Sequence, residues 1–112
     1  MKAALLMVLP FVVVACEDGR KMGVINQCSA AVEAAVEESP TPSVLVWRTV
    51  EPGSASFLVM ASDHAKGFFY WIRVPGAEQP APVRVELSNL VKPESGAGFD
   101  RGLVIDGPLC PE

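Results

Sequence analysis

The chain has 112 residues, enough for one domain, and it carries 9 lysines and arginines against 13 aspartates and glutamates. That acidic balance, a formal net charge of −4, argues against nucleic acid as a partner. Half of the residues are hydrophobic, but the longest apolar run, residues 3–15, is shorter than the roughly 20 residues of a bilayer-spanning helix.

This apolar run is the first element of the chain. Lys2 precedes it, and a charged cluster at residues 17–21 follows it after a single residue. A positive start, a short apolar middle and a small residue before the break are typical of a secretory signal peptide. The four residues that close the segment resemble the lipobox of bacterial lipoprotein precursors: Val13-Val14-Ala15-Cys16.

The resemblance implies that the signal peptide, residues 1–15, is cut before Cys16 and that the thiol of this cysteine carries a diacylglycerol. Two or more acyl chains anchor a protein stably, whereas one chain binds only marginally. We therefore expect a lipid-anchored protein of the bacterial cell envelope, on the inner or the outer membrane, with its domain facing the periplasm or the cell exterior. Two alternatives stay open, an ordinary secretory signal cut after Ala15 and a retained signal anchor.

A helix is predicted near the start of the mature chain. Residues 16–23 are expected to form the lipidated amino terminus and a short tether, and residues 24–112 a single domain. Apolar residues recur every four positions, at Val24, Cys28, Val32 and Val36. This spacing predicts an amphipathic helix over residues 24–38, which the prolines at positions 40 and 42 end.

Five short runs with strand character follow the prolines. They are rich in β-branched and aromatic residues and are separated by Gly- and Pro-containing turns. The runs cover residues 44–51, 56–62, 68–74, 83–91 and 103–105. One leading helix and five strands predict an α+β domain, in which the N-terminal helix packs on an antiparallel sheet. A sheet curled into a half-barrel is a variant of the same architecture.

The cysteines predict a disulfide. With Cys16 assigned to lipid, Cys28 and Cys110 remain, and an even remainder in an exported protein indicates a bond between them. The alternative, a metal site, needs about four ligands. Two cysteines and His64, the single histidine, do not supply them. No metal and no cofactor are therefore expected.

The aromatic residues give a candidate binding surface. Trp47, Phe69 and Trp71 share one face if the first and third strands pair in register, and the single predicted helix can cover only the opposite face. Tryptophan is enriched at binding hot spots, and an uncovered apolar face marks an interaction site. Together with Arg73 as a polar rim, these residues are predicted to bind a partner. The alternative is that the sheet curls and buries them.

Candidate catalytic residues are scarce. Ser62, Asp63 and His64 are consecutive, so their side chains point in different directions and a hydrolase triad is not indicated. The glycines at positions 96 and 98 lack the Lys-Ser/Thr pair that would follow them in a phosphate-binding loop. The sequence therefore predicts no enzyme and no catalytic residue.

The functional expectation is a non-enzymatic envelope lipoprotein that binds an envelope protein through the aromatic sheet face. Two alternatives remain, a structural accessory subunit of an envelope complex and an inhibitor of a wall-degrading enzyme. The membrane, reached through the lipid on Cys16, is the other expected partner.

Overall fold

A computed structural model describes residues 19–112, so Cys16 and the predicted signal peptide lie outside the described residues. Seven strands form the domain: β1 Gly19–Asn26, β2 Val32–Glu37, β3 Arg48–Val50, β4 Ala55–Ser62, β5 Gly67–Arg73, β6 Val83–Glu86 and β7 Arg101–Ile105. Two 3₁₀ turns, Leu87–Asn89 and Gly107–Leu109, complete the regular structure. Within residues 19–112, no helix is long and apolar enough to cross a membrane.

The strands form two sheets that pack face to face. In the three-stranded sheet, with the order β4-β1-β7, β1 is antiparallel to β4 and parallel to β7. The four-stranded sheet has the order β3-β2-β5-β6 and is antiparallel throughout. Buried side chains of both sheets meet in one core: Met22, Val24, Leu58, Ala61, Leu103 and Ile105 from the first, and Val32, Ala34, Val36, Val50, Phe68, Tyr70 and Val85 from the second. The domain is therefore a β-sandwich.

The prediction of an α+β domain with an N-terminal helix is wrong, and so is the half-barrel variant. The residues assigned to that helix contain most of β1, a turn and all of β2. A spacing of four residues fits the same face of a helix, but it is also a multiple of the two-residue period of a strand. Val24, Val32 and Val36 do share the buried side, and they do so on two strands. The sequence pattern could not separate the two structures.

The five strands predicted after residue 42 agree better with the structure than the predicted helix does. β4, β5 and β7 match three of them closely. Of the run at 44–51, only Arg48–Val50 is a strand, and the run at 83–91 divides into β6 and a 3₁₀ turn. The predicted tether is also shorter than expected, since β1 begins at Gly19.

The connection between β1 and β2 is fixed by Asn26, which is fully buried. Its side-chain nitrogen donates to the carbonyl oxygens of Ala30, at 3.0 Å, and Val50, at 2.9 Å. Its side-chain oxygen accepts from the backbone N–H of Cys28 at 2.8 Å. Because both of its polar atoms have partners, this buried amide stabilises the turn.

The predicted disulfide between Cys28 and Cys110 is confirmed. It joins the turn after β1 to the end of the chain across a separation of 82 residues. On the chain-entropy account, a loop of this length contributes about 4–5 kcal/mol to stability. The bond therefore closes one end of the sandwich.

Tyr70 ties the two sheets together. It lies on β5, and its hydroxyl donates to the carbonyl oxygen of Gly23 on β1 at 3.1 Å in the interior. Burial of the phenol raises its pKa well above the usual range, because the phenolate would lose its hydration. Tyr70 therefore stays a neutral donor at every physiological pH.

Candidate functional site

The outer face of the four-stranded sheet, which we call the aromatic face, carries three of the four predicted binding residues. On β5, Phe68 and Tyr70 point into the core, so Phe69, Trp71 and Arg73 alternate onto the outer side. The pairing of β5 with β2 places Phe69 opposite Glu37, Trp71 opposite Ala35 and Arg73 opposite Glu33.

Trp71 is buried on this face. Only 1% of its surface is exposed, and the same is true of its register partner Ala35. Neither residue belongs to the core between the sheets. The outer side of the sheet therefore buries apolar side chains as well. A side chain this buried contributes to packing, and the prediction that Trp71 offers a contact surface is wrong. Phe69 is half-buried and keeps part of its ring accessible.

Trp47 and Arg73 contact each other, but not through the predicted pairing of the first and third strands. That pairing is wrong, since β2 lies between β3 and β5. The Arg73 guanidinium carbon is 3.8 Å from the centroid of the Trp47 ring, a cation–π contact. Arg73 Nε donates to Glu33 Oε1 at 2.9 Å, and the other end of the guanidinium donates to the carbonyl oxygen of Ala77 at 2.8 Å. The side chains of Arg73 and Glu33 are only 18% and 19% exposed. This group of Trp47, Arg73 and Glu33, which we call the Arg73 cluster, lies where β2 begins and β5 ends.

Glu33 is the acidic member of the Arg73 cluster. Its Oε1 also accepts from the backbone N–H of Gly76 at 3.0 Å. This bond, followed by the one from Arg73, lowers the pKa of the Glu33 carboxyl below its ordinary value of 4.5. Sequence reasoning missed Glu33, because a helix over residues 24–38 would not pair with β5. No pattern in residues 32–37 indicates this pairing, since Glu33 and Glu37 are four residues apart and fit one face of a helix as well as one face of a strand.

A cavity at the opposite end of the sandwich is a second candidate site. β1 begins at Gly19 opposite Ser62, and residues 63–66 lead from there to β5, which begins opposite Glu86. We call this the amino-terminal end; the other end, with Cys28 and Cys110, is the disulfide end. The cavity has a volume of about 520 Å³. Its lining combines three cations with apolar and polar groups: Lys66, Glu86, Leu87, Ser88, Leu90, Lys92 and Arg101.

Sequence reasoning missed this cavity. Its cations come from three separate segments and form no motif along the chain. No short-range signal could have found them, because the two-sheet packing brings them together.

The residues considered for catalysis do not form a catalytic arrangement. Asp63 Oδ1 lies 3.5 Å from His64 Nε2, and the His64 side chain is 93% exposed. The Ser62 hydroxyl oxygen accepts from the backbone N–H of His64 rather than from the imidazole. Within residues 19–112, no three His, Cys, Asp or Glu side chains group as metal ligands.

Comparison with known proteins gives no match: no protein family, no curated protein and no solved structure resembles the chain closely enough to be assigned. The residues that bear on function are therefore those that the geometry itself brings together. They are the accessible part of the aromatic face and the cavity at the amino-terminal end.

Proposed function

We propose that the chain is a non-enzymatic lipoprotein of the bacterial cell envelope, anchored by lipid on Cys16, that binds a partner protein. Two features support the proposal. The motif at residues 13–16 resembles a lipobox, and the Cys28–Cys110 bond is of the kind that persists in exported proteins and is rare in the cytosol.

The observation that carries the proposal is the position of the first strand. β1 begins at Gly19, three residues after Cys16. Three residues span at most roughly 11 Å when fully extended. A lipid on Cys16 would therefore hold the amino-terminal end of the sandwich against the membrane surface and direct the disulfide end away from it.

The partner surface is the accessible part of the aromatic face. Trp47 and Phe69 are half-buried there. In the segment that leads to Trp47, Val44 and Val46 are 69% and 56% exposed, although both are large apolar side chains. Exposed apolar side chains and tryptophans are both enriched at interaction sites. The surface proposed here therefore consists of Val44, Val46, Trp47 and Phe69.

The anchor is tested by labelling cells with radioactive palmitate and separating membranes from soluble protein. The unchanged chain should carry the label and remain with the membranes. Cys16→Ser should lose the label and move to the soluble fraction. The double variant Cys28→Ser, Cys110→Ser is the control, since it removes both disulfide cysteines, keeps Cys16 and should keep the label. An unlabelled wild-type protein, or a labelled Cys16→Ser protein, would contradict the anchor.

The partner surface is tested by photo-crosslinking in cells. p-Benzoylphenylalanine replaces Val46 in one variant and Ser54 in another, since Ser54 is exposed in the turn before β4. The variant at position 46 should give one defined adduct that the variant at position 54 lacks. Equal crosslinking from both positions would contradict the assignment. A stoichiometric adduct with one large assembly would instead favour an accessory subunit.

A further inference from the structure

We propose that the cavity at the amino-terminal end binds a phosphate group. Lys66, Lys92 and Arg101 line it, although the chain as a whole is acidic. A cavity of about 520 Å³ lies within the size range of small-molecule sites in proteins. Three cations around one concave space lower the energy of an anion placed inside it.

None of these three cations forms an ion pair within the described part of the chain. There, the ion pairs are Asp63–His64, Glu33–Arg73 and Glu86–Arg84. The one carboxylate that lines the cavity, Glu86, is thus already paired with Arg84 outside the lining. Arg101 makes a single side-chain hydrogen bond there, to the carbonyl oxygen of Asp100 at 3.1 Å, and most of its donors are left for a ligand.

Backbone hydrogen bonds fix the three positions before any ligand arrives. The carbonyl oxygen of Lys66 accepts from the N–H of Leu87 at 2.8 Å. Val91 and Gly102 exchange two bonds of 2.9 Å, which holds Lys92 beside Arg101. Because Arg101 is also the first residue of β7, the cations come from well-defined backbone. The backbone therefore needs little further ordering on binding, and the cost falls on the lysine side chains.

The lining matches the chemistry of a phosphate ester. An arginine guanidinium binds two phosphate oxygens at once, and a lysine acts as a mobile point charge. Ser88 adds a hydroxyl donor, and Leu87 and Leu90 supply apolar contacts for the group esterified to the phosphate. The neighbouring carboxylate, Asp100, accepts from the backbone N–H of Lys21 at 2.9 Å and does not line the cavity.

The source of the phosphate follows from the position of the cavity, and this step rests on the proposed function. If Cys16 carries lipid, the amino-terminal end lies within reach of the membrane surface, and the abundant phosphate there is the headgroup of an anionic phospholipid. A soluble phosphate compound is the other source of the same chemistry.

The experiment titrates the full chain in uncharged detergent micelles and follows its amide NMR spectrum. The probes are inorganic phosphate and two lipids below their critical micelle concentrations, dihexanoyl phosphatidylglycerol and dihexanoyl phosphatidylcholine. The choline group of phosphatidylcholine is positively charged and would be repelled by the three cations of the cavity. We expect saturable shifts around Val91 and Gly102 with phosphatidylglycerol. Phosphatidylcholine should bind at least tenfold more weakly.

Matched variants locate the binding. Arg101→Gln should weaken it at least tenfold, and Lys66→Gln should weaken it less. Arg48→Gln removes an equal charge from an exposed strand position remote from the cavity and should leave the affinity unchanged. Because Lys66 is exposed, its variant keeps the test valid even if Arg101→Gln unfolds.

The outcomes separate the sources and the two proposals. Tighter binding of phosphatidylglycerol than of inorganic phosphate assigns the site to a lipid headgroup, and equal or tighter binding of inorganic phosphate assigns it to a soluble compound. The proposal would be overturned if neither phosphatidylglycerol nor inorganic phosphate gave a saturable shift. It would also be overturned if Arg48→Gln and Arg101→Gln lost the same fraction of the affinity. The titration does not require the anchor, so Cys16→Ser should bind equally well, and a failed palmitate experiment would leave this result standing.

Discussion

The two ends of the sandwich use charge in different ways. At the disulfide end, Arg73 is held by Glu33, by a carbonyl oxygen and by the ring of Trp47, so its charge is satisfied within the fold. At the amino-terminal end, Lys66 and Lys92 line an open cavity without an ion pair among the described residues. A charge with internal partners stabilises a structure, whereas one that faces a cavity without partners is available to a ligand. Position in the fold decides between these roles.

Removal of the disulfide should have the largest effect on stability, and it acts on the disulfide end of the sandwich. Replacing Cys28 and Cys110 together by alanine should lower the free energy of unfolding by about 4–5 kcal/mol, because the unfolded chain regains the freedom of a long loop. Denaturant unfolding of the variant measures the difference. An unchanged midpoint would show that the disulfide end does not depend on this bond.

Truncation of the buried tryptophan should come next. Trp71→Ala leaves a cavity on the aromatic face and should cost about 3–5 kcal/mol. Phe69→Ala, on the same strand and the same face but only half-buried, is the control and should cost clearly less. Equal losses in denaturant unfolding would contradict the assignment of Trp71 to packing and of Phe69 to the accessible surface.

The Arg73 cluster predicts a pH dependence of stability. The folded pKa of Glu33 lies below its unfolded value, so the folded protein binds fewer protons. The stability from this carboxylate is therefore fully present above the ordinary value of 4.5 and is lost as the pH falls through the folded pKa. Unfolding free energies measured between pH 3 and pH 7 should fall less steeply for Glu33→Gln than for the wild type. Glu51→Gln, at an exposed position, should follow the wild type, and identical curves for all three proteins would exclude the role of Glu33.

The smallest effect is expected at the cavity. Lys66→Gln and Lys92→Gln remove charges that have no ion-pair partner within residues 19–112, so each should change the unfolding free energy by less than about 0.5 kcal/mol without ligand. Thermal unfolding at low ionic strength is the sensitive measurement, since the screening by salt is then small. A destabilisation of 1 kcal/mol or more would mean that these lysines have structural partners, and the contrast between the two ends would disappear.

Some of this structure could be predicted from the sequence. The disulfide followed from the number of cysteines, and β4, β5 and β7 from their composition and bounding turns. The N-terminal region could not be predicted, because the spacing of Val24, Val32 and Val36 fits both periods. In the structure, the turn at Asn26 divides this segment into two strands and is held by three hydrogen bonds of a buried amide.

The candidate sites were predictable to different degrees. The sequence grouped Trp47 and Arg73 on one surface, but it did not indicate that Glu33 would pair with Arg73. The burial of Trp71 depends on what covers the outer side of the sheet, which strand alternation does not reveal. The grouping of Lys66, Lys92 and Arg101 depends on the packing of two sheets, and no pattern along the chain encodes it.

The most direct test of the contrast between the two ends is thermal unfolding of two matched variants and the wild type, each with and without inorganic phosphate. Arg73→Gln should lower the melting temperature but keep the rise that phosphate produces, since a ligand stabilises whatever folded state it binds. Arg101→Gln should melt close to the wild type without phosphate and lose that rise. If phosphate raises the melting temperature of Arg101→Gln as much as that of the wild type, or if Arg101→Gln alone is as destabilising as Arg73→Gln, the assignment of the cavity to ligand binding is contradicted.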